Sequence, residues 1–185
     1  MFRNEEEINV KKSLFGSLRF LILSLIIFGG VYTVAVTGVG QLFFSNQANG
    51  SQVKVENHVV GSSLIGQEFK QKKYFSGRSE KISQLSPVSS EQKQLVEQRT
   101  EVELAKNPSE KEVPNDLVTA SASGVDPDIS LAAAKFQVAR ISEERGLSQE
   151  KIYELIDDHR QKDWFSDRSY VNVLQLNLAL DKLEA

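Results

Sequence analysis

Between Arg19 and Lys54 the chain carries no charged residue, and the densest part of that stretch, "FLILSLIIFGGVYTVAVTGVG" (Phe20 to Gly40), is apolar almost throughout. At about 1.5 Å of rise per residue, a helix of this length covers roughly 30 Å, the thickness of a bilayer's hydrocarbon core. No polar face interrupts the run, which argues against a surface helix of a soluble domain. A cleaved signal peptide is the alternative. Its apolar region is typically about 7–15 residues long and ends at a small-residue cleavage site. This run is longer, and Thr33-Val34-Ala35 inside it is a poor substitute for such a site. A retained anchor that crosses once is the favoured reading.

Orientation follows from the flanking basic residues. Arg3, Lys11, Lys12 and Arg19 precede the run, whereas the nearest basic residue after it is Lys54. Glu5, Glu6 and Glu7 reduce the net charge but carry little weight in this rule. The expected layout is a cytoplasmic tail over 1–16, a transmembrane helix over 17–40 and an extracytoplasmic domain over 41–185. A single-pass membrane location with a cytoplasmic N-terminus is expected.

The chain has no cysteine, so the external domain has neither disulfides nor thiolate chemistry. The whole chain's net charge is −3 with no basic patch, which makes nucleic acid an unnatural partner and leaves membrane lipid as the evident one.

Beyond the span, Phe43 and Phe44 suit the membrane interface, and Asn49-Gly50 marks a turn. β-branched residues between Val53 and Ile65, broken by Asn57 and Gly61, predict a short hairpin. In "GQEFKQKKYFSGRS" the aromatics Phe69, Tyr74 and Phe75 alternate with basic residues; they are expected to tuck into the core, with a partner-binding surface as the alternative. Ser89 or Ser90 caps a predicted peripheral helix running to about Lys106, with Glu91 in its first turn and Leu95, Val96, Val102 and Leu104 as its apolar face.

"DLVTASASGVDPDIS", residues 116–130, crowds hydroxyls, carboxylates and a Gly into fifteen positions. Leu117-Val118-Thr119 is a candidate buried strand. Gly124 permits a positive φ, Asp126-Pro127 favours a turn, and Ser130 is an N-cap. Leu131, Ala134, Val138 and Ile141 then form one helical face, and Gly146 stops that helix. Ser148 caps another, with Ile152, Leu155, Ile156 and His159 on one side. "VNVLQLNLALDKL" alternates like a strand but also holds Val173, Leu176, Leu180 and Leu183 on one helical face behind Asn172 as a cap; helix is favoured. Local chemistry thus accounts for the polar residues of 116–130. The fold class is α/β of the α+β type: one transmembrane helix followed by a small mixed helix and sheet domain.

No residue is assigned a catalytic or metal-binding role, and no cofactor is expected. His159 completes an apolar face, and His58 stands in a hairpin without neighbouring ligands. H-E-x-x-H, the P-loop and G-x-S-x-G are all absent. Asp126 and Asp128 lack the spacing of an EF-hand. A Ser–Lys dyad has no distinct signal, though Ser121, Ser123 and Ser130 keep a membrane-anchored serine hydrolase as the alternative function. Within the span, Gly29, Gly30 and Gly38 would let a second helix approach closely. The span holds no ionisable group past Arg19, so it cannot relay protons at mid-membrane.

The segments "FFSNQANGS", "VVGSSLIGQEF", "KYFSGR", "VPNDLVTASASGVDPDIS", "QVARISEERGLS" and "VNVLQLNLALD" occur in order over most of the chain. Together they resemble the KdpC family, the single-span subunits of bacterial potassium-transporting P-type ATPases. The resemblance implies an accessory, non-catalytic subunit of an ATP-driven potassium importer. Its partners would be a potassium-channel-like subunit, an ATP-hydrolysing subunit that carries the phosphorylated Asp, and a small single-span peptide. The external domain would cap the channel-like subunit, and a role in assembly is implied. Assistance in nucleotide binding has also been proposed for the family, on the membrane face opposite to the expected position of this domain. Gln47, Asn49, Gly50, Gln67, Gly77 and Arg78 match the family pattern and are candidates for the subunit interface or its support. Ser79 stands where the family often has Pro, Asp128 where it commonly has His, and residues 80–95 depart from its Gly/Ser/Asn-rich loop.

Overall fold

The computed structural model describes residues 2–78 and 85–183, with side chains described from Lys12 onward. Ser79 and the first part of the 80–95 departure lie outside the described residues. The chain divides into two bodies, Met1–Ser51 and Gln52–Ala185.

The first body is helical. α1 (Phe2–Ser24) runs into a π-helical stretch at Leu25–Tyr32 and on into α2 (Thr33–Phe43); a short α3 (Ser45–Ala48) follows. Lys12–Phe43 is long and apolar enough to cross a membrane, as the sequence predicts. Gly29 and Gly30 lie in the middle of the wider π turns, where glycine's loose backbone preference makes rewinding least costly. The Thr33 hydroxyl donates to the Phe28 carbonyl at 3.1 Å, five residues back, consistent with that wider winding. At Phe44 the backbone leaves the helical region (φ −135°, ψ 38°) and the long helix ends.

The second body is a mixed helix and sheet domain, in agreement with the expected class. β1 (Gln52–Val55) and β2 (His58–Ser62) form the expected hairpin. Glu56 and Asn57 both take positive φ at its turn, the geometry that matches the twist of a two-residue hairpin. α4 spans Ser90–Lys106 and α5 Asn115–Val118; β3 (Asp128–Ser130), α6 (Leu131–Phe136), α7 (Val138–Arg145) and α8 (Gln149–Asp158) come next. β4 (Gln161–Lys162), β5 (Ser169–Asn172) and α9 (Val173–Lys182) complete the chain. The second sheet is antiparallel in the order β3-β5-β4.

The core lies between this sheet and its helices. Ile129 and Val171 from the strands meet Ile141, Ile152, Ile156, Leu176 and Leu180 from α7, α8 and α9, with Phe75 buried among them. Each such side chain contributes roughly 1.5–3 kcal/mol by leaving water.

Most caps fall where the sequence puts them. Ser89, Ser130, Ser148 and Asn172 each accept an N–H from three residues on, and Gly146 ends α7 at φ 66°. Four details differ. Leu117-Val118-Thr119 is not a strand. After Pro114 the chain makes one helical turn, closed by the Leu117 N–H to Pro114 O (3.0 Å) and the Thr119 N–H to Asn115 O (2.9 Å). That turn buries adjacent Leu117 and Val118 together, which an alternating strand would not do. The helix expected from Leu131 to Gly146 breaks at Gln137, whose buried amide is drawn to another segment. On α4, Val102 faces solvent and Glu103 is buried instead, its carboxylate held by Lys106 at 2.7 Å. Leu183, expected on the face of α9, is exposed.

Candidate functional site

The segment Lys72–Arg78 crosses the domain without joining a sheet, yet its backbone is paired. The Phe75 N–H donates to Asn177 Oδ1 at 2.8 Å, and the Phe75 carbonyl accepts from Asn177 Nδ2 at 3.0 Å. One residue on, the Ser76 N–H donates to Gln137 Oε1 at 2.7 Å, and Gln137 Nε2 donates back to Ser76 O at 3.1 Å. Two side-chain amides thus do the work of a neighbouring strand. Both are almost fully buried, so neither could find water instead. Arg140 binds the same segment through the carbonyls of Lys72 and Tyr74, and reaches Asn107 Oδ1 (3.0 Å) and Gln137 Oε1 (2.7 Å). Burial lowers its pKa, and Glu103 and Glu144 oppose that fall. Arg145 donates to Lys73 O and Asp181 (both 2.7 Å) and lies over the Tyr74 ring. Desolvation and the hydrogen bond to Asp181 raise the Tyr74 pKa. Phe75 is fully buried, while Phe69 and Tyr74 pack at the core's edge, as the tucked-in reading expects.

Arg78 ends this segment. Its guanidinium donates to Asp126 Oδ2 at 3.1 Å, Ala120 O at 3.2 Å and Thr119 Oγ1 at 3.4 Å. The loop it grips is built of local bonds. Ser121 Oγ accepts from the Gly124 N–H (2.9 Å), Ser123 Oγ from the Val125 N–H (3.2 Å), and Asp126 Oδ1 from the Asp128 N–H (3.2 Å). Gly124 takes φ 71°, as its place in the turn requires. Ser130 donates to Asp116 Oδ1 at 3.1 Å while capping α6, and the Asp116 carboxylate also accepts the Ser130 N–H at 2.7 Å. None of the three serines meets a Lys or His side chain among the described residues. Their hydroxyls shape a turn, and nothing in their bonding prepares a nucleophile. The Asp126 and Asp128 oxygens face protein donors as well: Arg78, the Asp128 N–H and the Asn172 amide at 3.1 Å. Burial raises the Asp128 pKa, the Asn172 hydrogen bond draws it back, and the Asp126 charge adds to the rise. Among the described residues no group of three or more His, Asp or Glu gathers as a metal site.

The remaining candidate residues separate between the two bodies. Gly29, Gly30 and Gly38 have open space where a Cβ would stand. Asn49 seals the end of the helical body: its amide donates to Ser45 O at 2.6 Å and exchanges two bonds with the Gln41 amide. Gln47 is exposed and its carbonyl accepts the Gly50 N–H at 3.0 Å, with Gly50 at φ 82°. In the globular body, Gln67 donates to Val60 O at 3.1 Å and fills the space beside Gly61. Gln67, Gly77 and Arg78 line a crevice of about 10 Å³ with Asp126 and Pro127, barely room for one water. His58 is exposed and His159 half-buried at the end of α8, its ring bonded to Leu155 O at 2.9 Å.

A family model described as "KdpC: K+-transporting ATPase, c chain" matches residues 14–182. The chain belongs to the KdpC family. A potassium-transporting ATPase KdpC subunit of Herminiimonas arsenicoxydans is 43% identical over 178 residues, covering 88% of this chain and 93% of the relative. The corresponding subunit of Mycobacterium bovis (strain BCG / Pasteur 1173P2) is 39% identical over 94% of this chain and 100% of its own. KdpC subunit 2 of Staphylococcus aureus (strain Mu50 / ATCC 700699) is 38% identical over 90% and 97%. Within the globular body, several of the KdpC motifs quoted from the sequence hold one another. "KYFSGR" is gripped by Gln137, Arg140 and Arg145 of "QVARISEERGLS" and by Asn177 and Asp181 of "VNVLQLNLALD". Sequence reading missed these five gripping residues. The available signal was polar residues set inside apolar helices.

Proposed function

We propose that this KdpC chain is a non-catalytic accessory subunit of an ATP-driven potassium import complex. Its helix crosses the membrane once with the N-terminus in the cytoplasm and packs in lipid against a channel-like potassium subunit through Gly29, Gly30 and Gly38. Its globular body stands on the extracytoplasmic side, stabilises assembly and caps the ion entrance, while ATP is hydrolysed on a different subunit. A small single-span peptide completes the set of partners. The observation that carries this reading is the family match across residues 14–182, which takes in the apolar helix and nearly all of the globular body. The basic residues before Phe20, and none after it until Lys54, support the orientation. Gln47, Asn49, Gly50, Gln67, Gly77 and Arg78 act in it mainly as supports: they hold the helix end and the Val60–Asp126 region in the shape a partner meets.

The test is co-purification of the complex from membranes with and without this chain, followed by potassium-stimulated ATPase measurement. Loss of a stable, potassium-stimulated assembly is expected without it, and an equally stable and active assembly would refute the role. Because the described chain has no cysteine, Glu150→Cys gives one labelling site on the exposed face of α8. An impermeant maleimide should label it in intact cells; labelling only after lysis would remove the capping role.

A further inference from the structure

A groove of about 840 Å³ lies in the globular body between α4 and the chain at 67–72. Leu95, Gln98, Arg99, Val102, Glu103 and Lys106 line it and form one continuous stripe of the helix. At about 1.5 Å of rise per residue that stripe is roughly 16 Å long. Leu95 and Val102 belong to the face that the sequence assigns to the core, yet Leu95 is only half-buried and Val102 is exposed. The opposite wall is open as well. Residues 66–70 run without a turn or bend. Among the described residues, neither the N–H nor the carbonyl of Glu68, Phe69 or Lys70 has a hydrogen-bond partner. Charge is uneven along the groove. Its two acids are already engaged, Glu68 with Lys70 at 3.1 Å and Glu103 with Lys106 at 2.7 Å, and Arg78 is held by Asp126. Lys72, Arg99 and Arg140 have no carboxylate within ion-pair distance among the described residues; the atoms that Arg99 and Arg140 bind are neutral oxygens. Surplus positive charge thus gathers in one groove of a chain whose net charge is −3.

We propose that this groove receives an extended, acidic polypeptide segment of a sister subunit of the potassium-transporting complex; this rests on the function proposed above. The segment adds a strand beside Glu68–Lys70 and sets its carboxylates against Lys72 and Arg99. The length of the groove takes about five residues of extended chain at about 3.3 Å each. A peptide backbone brings one N–H and one carbonyl per residue, which answers both kinds of open group on the 68–70 wall. Its apolar side chains cover Phe69, Leu95 and Val102. A phosphate, free or on a lipid headgroup, offers acceptor oxygens. It satisfies the cations but leaves the three carbonyls and the apolar stripe bare.

Hydrogen exchange over residues 67–72, read by mass spectrometry, is the direct test. The full chain is measured in neutral lipid nanodiscs, in the same discs with inorganic phosphate, in anionic lipid nanodiscs, and assembled with its sister subunits. The amides of Glu68, Phe69 and Lys70 should exchange fast in the first three states and about tenfold more slowly in the complex. Fast exchange in the assembled complex overturns the proposal, and so does protection by phosphate or by anionic lipid alone. Two charge variants add a signed readout. Lys72→Glu and Glu68→Lys change exposed side chains, so the chain's own unfolding temperature should hold. Lys72→Glu should weaken association about tenfold and Glu68→Lys should strengthen it several-fold, with both differences shrinking as salt is raised. Variants that act in the same direction, or that leave association unchanged, overturn the proposal as well. An assembled complex with an open groove leaves the accessory role intact through another face; a chain that never associates removes both.

Discussion

Asn177→Leu tests whether side-chain amides replace a strand in this fold. Leu has a similar volume and keeps the apolar packing of α9, but it removes both bonds to Phe75. Asn177 is 1% exposed and the Phe75 side chain is fully buried, so the freed N–H and carbonyl have no route to water. Each orphaned buried group costs about 1–3 kcal/mol, giving about 2–6 kcal/mol for the pair. Against a total stability of about 5–15 kcal/mol, that is a large share. For a domain of this size the unfolding temperature should fall by roughly 10 °C. The assay is thermal unfolding of the full chain in detergent, followed by circular dichroism, with hydrogen exchange at the Phe75 amide as the local readout. Asn177→Asp is the control. It keeps the acceptor for the Phe75 N–H but sets an oxygen against the Phe75 carbonyl, so its defect should shrink when acid protonates the new carboxyl. A Leu variant within about 1 kcal/mol of the parent, with the Phe75 amide still protected, would show that ring burial alone holds the segment.

Asp128→Asn should stabilise the fold at pH 7. The folded state raises the Asp128 pKa, chiefly by burial, so folding favours the protonated form and the ionised form is penalised. Stability from this group is therefore lost as pH rises from the ordinary carboxylate value through the raised one, and the variant's advantage should vanish below about pH 3. Ser130→Ala removes the N-cap of α6 and one bond to Asp116, and should cost about 1–2 kcal/mol in urea unfolding, with no change in potassium-limited growth once folded. A growth defect in a stable, assembled complex would instead revive the hydrolase reading. Gly66→Ala would set a Cβ 2.5 Å from the Asp126 carbonyl, while the Gly66 N–H is bonded to Val125 O at 2.7 Å. It should cost about 1–3 kcal/mol and disturb the Arg78–Asp126 pair, visible as a shifted Arg78 side-chain resonance.

The long helix, the first hairpin and the caps were legible because each is set by neighbours in sequence: an uninterrupted apolar run, a turn, a hydroxyl or amide before a periodic face. Leu117–Thr119 misled because β-branched residues suggest a strand, whereas Pro114 and the bonds of Asp116 to Ser130 close a helical turn there. The second sheet escaped because its strands are very short, β4 being only two residues, and because β3 pairs with β5 far along the chain, Asp128 with Asn172. The grip on Lys72–Arg78 was invisible for a related reason. Gln137, Arg140 and Asn177 look like ordinary interruptions of apolar faces until the segment they bind is placed beside them. The resemblance identified the motifs but could not say that they bind one another.

Phe75 meets its partner 102 residues later, and Tyr74 reaches Asp181 across 107. The middle of this domain therefore cannot close while the chain is still being made. The segment around Tyr74 and Phe75 must wait, unsealed, until the final helix has emerged. A message cut short by even a dozen codons would yield a product whose central crossing segment has no permanent place, recognisable to a protease as unfinished.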